Sequence, residues 1–230
     1  MENDKLSRRE FMALSAGALV QIGLPGVFVK LSHAENAHLA SELRPDGRLR
    51  IPPGQMAVES IHKMGGMSGP GLNPEWRLQI KGEVKKHTSF SWNDLMQFPQ
   101  TDLLCDVHCV TGWTLLDSRW QGIRLRHLMD AVGVTEKAAF IIFEAHAGYT
   151  TIIPVREARK DNVILAHTFS GERLAEPHGA PLRGLVPDRY FYKSAKWIEG
   201  INFSANDKLG YWESGGFSNS ADPWKEDRYK

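Results

Sequence analysis

Apolar Trp76, Leu78, Ile80 and Val84 are spaced among polar residues in WRLQIKGEV, the pattern of a strand with one face in a core and the other in solvent. The continuous apolar run Phe140–Glu144 has no polar face to present and predicts a strand buried on both sides. Tyr149–Ile153 continues extended to Pro154, whose fixed φ suits the first turn of a helix through Arg159. Val163–Phe169, ended by Ser170-Gly171, and the segments Leu182–Val186 and Trp197–Phe203 complete the strands. Helical spacing is confined to two other places. Ser91 with Asp94 three residues on predicts an N-cap for a short helix over Asn93–Gln97, stopped before Pro99. Leu125, Leu128, Met129 and Val132 share one helical face before Gly133, which fits a C-cap. The whole reads as a mixed, strand-rich α+β single domain.

Residues 35–75 carry no sustained period, since Pro52-Pro53-Gly54, Gly65-Gly66 and Gly69-Pro70-Gly71 interrupt it. They are expected as a loop region wrapping a domain over 76–230. Within it, His62 and Lys63 precede glycines that let backbone N–H groups approach an anion, although an ordinary exposed loop gives the same pattern.

Charge removes one class of partner. The 230 residues hold 28 Lys+Arg against 27 Asp+Glu, a net charge of +1, so no basic field favours nucleic acid. Two cysteines, Cys105 and Cys109, are too few for a disulfide framework and lack zinc-site spacing. Four residues apart on an extended segment they are too distant to bridge, so free thiols are expected.

The N-terminus reads as an address. SRREFM at 7–12, with Arg8-Arg9, leads a weakly apolar run to Val29 and a small-x-small site at Ser32-His33-Ala34, which predicts a twin-arginine signal peptide over 1–34. The expected location is periplasmic or otherwise exported by that route. A membrane anchor and a general secretory signal are the alternatives. The twin-arginine route moves folded proteins, which suits a chain that acquires a cofactor before export.

Val107–Gly122, VHCVTGWTLLDSRWQG, sets Cys109 between a histidine and a tryptophan-bounded loop. A thiolate can hold a transition metal, but a lone cysteine is equally a small core hydrophobe. PHGAPLR (Pro177–Arg183) and KSAKW (Lys193–Trp197) supply the basic groups an anionic cofactor needs.

Taken in order, WRLQIKGEV, HCVTGW with SRWQGI, AGYTTIIPVREA, HGAPLRGLVP with YFYKSAKWIEG, and GYWE with DPWKEDRY resemble the molybdopterin-binding domain of the sulfite oxidase superfamily, over roughly Trp76 to Tyr229. The resemblance implies that superfamily's molybdopterin-binding fold and a molybdenum–molybdopterin cofactor; without a CxxCH motif, no haem is expected. It puts Cys109 at the single protein ligand to molybdenum and Tyr149 in the segment carrying an active-site tyrosine, so both are expected to be catalytic. It places His62, His108, Ala145, His178, Arg183, Ser194, Ala195 and Lys196 around the pterin. Arg183 suits a bidentate grip on phosphate, and Ala145 offers only backbone where relatives have a threonine. His108 is equally read as a core histidine, Tyr149 as a residue packed between strands, and Lys193 and Lys196 as surface charges.

One departure bears on the substrate. Sulfite oxidases place arginines soon after the cysteine, whereas Val-Thr-Gly-Trp-Thr follows Cys109 and the first cation is Arg119. Burying a dianion without a paired cation is costly, which puts sulfite in doubt. Periplasmic methionine sulfoxide reductases also carry a tryptophan there, so a small neutral S-oxide or N-oxide is an alternative substrate. Oxygen-atom transfer would then draw on a separate electron-transfer protein, a cytochrome or membrane haem protein, and a monomer is expected. A cofactor-binding carrier subunit without turnover is the other reading. A thiol hydrolase using Cys109 with His108 fits poorly, because neighbours on a strand point to opposite faces.

Overall fold

The computed structural model describes residues 41–69 and 71–230; the predicted signal peptide lies outside the described residues. Two sheets make the fold. The first orders β1 (Met56–Val58), β5 (Trp113–Arg124), β8 (Ile164–Phe169) and β10 (Arg183–Leu185), with β4 (Gln100–His108) also on β5 and β9 (Glu172–Arg173) on β8. The second orders β3 (Thr88–Ser91), β2 (Arg77–Gly82), β11 (Ile198–Ser204), β6 (Phe140–Ala145) and β7 (Thr150–Pro154). Among the described residues four short α-helices accompany them: α1 (Trp92–Met96), α2 (Leu125–Val132), α3 (Val155–Ala158) and α4 (Tyr211–Ser214).

The local signals act as their chemistry demands. Ser91 Oγ accepts from Asp94 N at 3.2 Å while Asp94 Oδ2 accepts from Ser91 N at 2.8 Å, a reciprocal capping box that starts α1. Gly133, at φ +67°, closes α2, and Pro154 ends β7 as the N-cap of α3.

Burial on both faces explains β8. Leu165 packs into the main core with Leu78, Ile141 and Phe203, while Ile164 and Ala166 join Cys109, Trp113, Trp120 and Phe191 in a second cluster. Successive residues point to opposite faces, so both clusters form on this one strand.

Two departures from the sequence reading position the site. β5 was not visible as a period because it carries a bulge: Cys105 pairs with Ser118 but Val107 with Leu115, and Asp117 lies there at φ +50°. One extra residue inverts the in–out alternation halfway along the strand. The 35–75 stretch is not all loop, since β1 adds to β5 in parallel through Met56 to Val58. Ion pairs hold residues 44–50 down: Arg44 and Arg48 on Asp188, and Arg50 on Glu42, Asp106 and Asp117.

Candidate functional site

β4 and β5 form a hairpin, and Cys109–Gly112 is its tip. Cys109 N–H donates to Trp113 O at 2.8 Å and Gly112 N–H to Cys109 O at 3.0 Å, closing a turn in which Gly112 takes φ +99°. Cys109 is 4% exposed, and Thr111 Oγ1 donates to its Sγ at 3.1 Å. Burial pushes the thiol pKa up, with the Thr111 hydrogen bond opposing. Both ends of the described chain brace this turn. Gln55 Nε2 donates to Cys109 O at 3.1 Å, and Arg228 donates to Val110 O and, at 3.1 Å, to Gly54 O.

The second half of the site is cationic. Arg183 is 2% exposed, yet its guanidinium donates its hydrogen bonds to carbonyls alone: His178 O and Ser194 O at 2.9 Å, and Gly184 O at 3.4 Å. Lys196 Nζ donates to Met64 O at 2.6 Å and Pro177 O at 3.1 Å, and lies 4.0 Å from the centre of the Trp197 ring. Burial pushes Arg183 down to about 9. Burial and then the Arg183 charge push Lys196 down to about 8, and His178 is lowered by burial and by Arg183, Lys196 and Lys63. Among the described residues no carboxylate pairs with His178, Arg183 or Lys196.

Aromatic rings join the two halves. The Arg183 guanidinium lies 4.3 Å over Phe191, Phe191 packs 5.9 Å from Trp113, and Trp113 packs 5.0 Å from His62. Cys109 and Phe191 share the second core cluster, and the 3-10 turn Phe191–Lys193 leads directly into Ser194–Lys196. These contacts link His62, Cys109 and Arg183 in one run of packing, with His178 and Lys196 beside Arg183. Ser194 and Ala195 are buried behind it: Ser194 Oγ accepts from Val186 N–H at 2.9 Å, and Ala195 O accepts from Gly184 N–H at 2.8 Å. Ala145 is also buried and engaged through its backbone, its N–H donating to Tyr149 O at 2.8 Å.

Other expected residues are held differently. The His108 ring bonds Thr114 Oγ1 at 2.9 Å and packs 5.0 Å from Trp224, partners it does not share with the Cys109 side chain, as strand alternation requires. Lys193 does not join the cationic group; it is buried in an ion pair with Glu213. Tyr149 donates its hydroxyl to Tyr192 O at 2.6 Å, so in this structure it secures the Phe191–Lys193 turn. Sequence reasoning missed Gln55, Thr111, Phe191 and Arg228, whose parts follow from folding across the chain; the closeness of Thr111 to Cys109 was the one available signal.

The donor set fits a phosphorylated pterin. A guanidinium has five N–H groups and an ammonium three, so Arg183 and Lys196 retain hydrogens beyond those bound to carbonyls. Buried cations without a counter-charge are stabilised by an anion. Among the described residues no group of three or more His, Cys, Asp or Glu could hold a metal ion. A metal beside Cys109 would therefore take its other ligands from a cofactor, as a dithiolene provides.

This fold and site define a molybdopterin-dependent oxidoreductase, and the chain belongs to the oxidoreductase molybdopterin binding domain family, whose model matches residues 67–212. The chain is 37% identical over 182 residues to YuiH, an uncharacterized oxidoreductase of Bacillus subtilis (strain 168), covering 78% of this chain and 92% of that protein. It is 26% identical to the protein-methionine-sulfoxide reductase catalytic subunit MsrP of Campylobacter jejuni, over 90% of this chain and 76% of that one. Among solved structures, the sulfane dehydrogenase SoxCD from Paracoccus pantotrophus aligns with a TM-score of 0.53 at 24% identity, over 58% of this chain and 39% of that chain, and shares the fold.

Proposed function

We propose that the protein is an exported molybdenum–molybdopterin enzyme that reduces a small neutral S-oxide, with Cys109 as the one protein ligand to the metal. The carrying observation is buried Arg183 with partly exposed Lys196 and His178 beside it, a cluster that has no carboxylate partner among the described residues and is joined to Cys109 through Phe191 and Trp113. When bound, the cofactor supplies a metal that exchanges an oxygen atom and two electrons with substrate. Arg183 and Lys196 hold the phosphate with their remaining N–H groups, His178 lies beside them, and the Ser194–Lys196 turn fixes their separation. His62 and Trp113, packed on each other near Cys109, would help hold the pterin, while Tyr149 keeps the Tyr192 carbonyl in place.

Two features support a neutral substrate. The first cation after Cys109 in sequence, Arg119, is exposed on β5, and the similar Campylobacter protein is named for methionine sulfoxide reduction. Reduction of an S-oxide consumes two electrons and two protons and releases the sulfide and water, so a separate haem protein is the proposed electron donor.

The test is protein purified from a host that makes molybdopterin. One molybdenum per chain and turnover of methionine sulfoxide or dimethyl sulfoxide with a reduced viologen dye are expected. Cys109→Ser should keep the pterin and lose turnover, whereas Cys105→Ser, at a thiol whose pKa burial pushes up to about 12, should keep both. Full activity of Cys109→Ser would overturn the ligand assignment; turnover of sulfite alone would overturn the substrate.

A further inference from the structure

The hairpin tip offers the Cys109 sulfur a hydroxyl donor from its own turn. Thr111 Oγ1 donates to Sγ at 3.1 Å. Gly112, at φ +99°, lets the chain fold back after Thr111 and close the turn with its N–H on Cys109 O. Arg228 influences the sulfur only through its charge, since its guanidinium is bonded to Val110 O and Gly54 O. A neutral thiol is a weak acceptor and a charged sulfur a much stronger one, so this hydroxyl donor has its full effect when the sulfur carries negative charge.

We infer that Thr111 is a positioning residue for redox: its hydroxyl draws electron density from the Cys109 sulfur and raises the reduction potential of the metal bound there. This rests on Cys109 being the molybdenum ligand. Reduction adds negative charge to a metal–thiolate unit, so a hydrogen bond to sulfur is stronger in the reduced state and stabilises it; hydrogen bonding to cysteine sulfur tunes blue-copper and iron–sulfur centres in this way. Thr111 is exposed, so changing its side chain leaves the two core clusters intact.

The test is a redox titration of the molybdenum-loaded protein, followed through the Mo(V) electron paramagnetic resonance signal. Thr111→Val keeps the shape and removes the hydroxyl; Thr111→Ser keeps the hydroxyl. Thr111→Val should lower the Mo(VI)/Mo(V) midpoint by about 59 mV, the equivalent of a tenfold change in a one-electron equilibrium, and shift the Mo(V) g-values. Thr111→Ser should restore both, with metal and pterin content equal in all three proteins. An unchanged midpoint in Thr111→Val, or loss of metal from it, would overturn the inference. Cys109→Ser run alongside separates the two readings. If it retains the wild-type Mo(V) spectrum, the ligand assignment fails; if it alters the spectrum while Thr111→Val does not, only the role of Thr111 fails.

Discussion

Lys193 and Glu213 form a buried ion pair, Nζ to Oε1 at 2.5 Å, with side-chain exposures of 1% and 0%. Glu213 Oε1 also accepts from Thr151 Oγ1 at 2.7 Å, and Lys193 Nζ donates to Ile152 O at 2.9 Å, so the pair pins α4 to β7. Removing one partner leaves the other buried and uncompensated. Lys193→Met and Glu213→Leu should each cost about 3–5 kcal/mol in chemical denaturation, and the double variant less than their sum. Single variants within about 1 kcal/mol of wild type would contradict this.

Lys196 predicts a pH dependence of anion binding. Its folded pKa, about 8, lies below the ordinary lysine value of 10.5. Cofactor-free protein should therefore gain stability as pH rises from 8 to 10.5, where the unfolded chain holds a proton that the folded one has released. Inorganic pyrophosphate, as a probe of the site, should bind several-fold more weakly by calorimetry at pH 9 than at pH 7. Lys196→Arg, charged throughout, should show a smaller loss; an equal loss would remove Lys196 from the anion site.

His108 predicts acid sensitivity. Burial pushes it down to about 3, against 6.5 for an ordinary histidine. As pH falls below 6.5 the unfolded chain takes up a proton the folded one refuses, so stability declines until about pH 3. At pH 5 the loss is about 2 kcal/mol, from 1.5 pH units at about 1.4 kcal/mol each. His108→Asn does not titrate, and its stability difference between pH 7 and pH 5 should be smaller by that amount. Equal acid sensitivity in the variant would refute the assignment.

Export is tested at Arg8 and Arg9. Replacing both with lysine preserves the positive charge that a general secretory signal needs but removes the pair the twin-arginine route reads. Precursor should accumulate in the cytoplasm by fractionation and immunoblot. Periplasmic yield equal to wild type would exclude the twin-arginine route.

Local chemistry was legible wherever a few neighbouring residues decide the outcome. The Ser91–Asp94 capping box, the α2 stripe ended by Gly133, and the apolar run of β6 are each complete within one short segment. The order of the motifs likewise carried the fold class and the candidate residues Cys109, Arg183 and Lys196.

Tertiary structure decided what depends on distant partners. The bulge at Asp117 breaks the alternation of β5, and Asp117 N–H is held by Asp106 of the neighbouring strand. Lys193 and Lys196 are three residues apart and of the same type, yet one meets Glu213 and the other the carbonyls of Met64 and Pro177. Among the described residues Arg183 and its neighbour Lys196 lack a carboxylate partner, and this too is seen only once the chain is folded. Periodicity records which face of a segment is buried, but the charge or carbonyl that waits there is supplied by residues far along the chain, and packing alone brings them together.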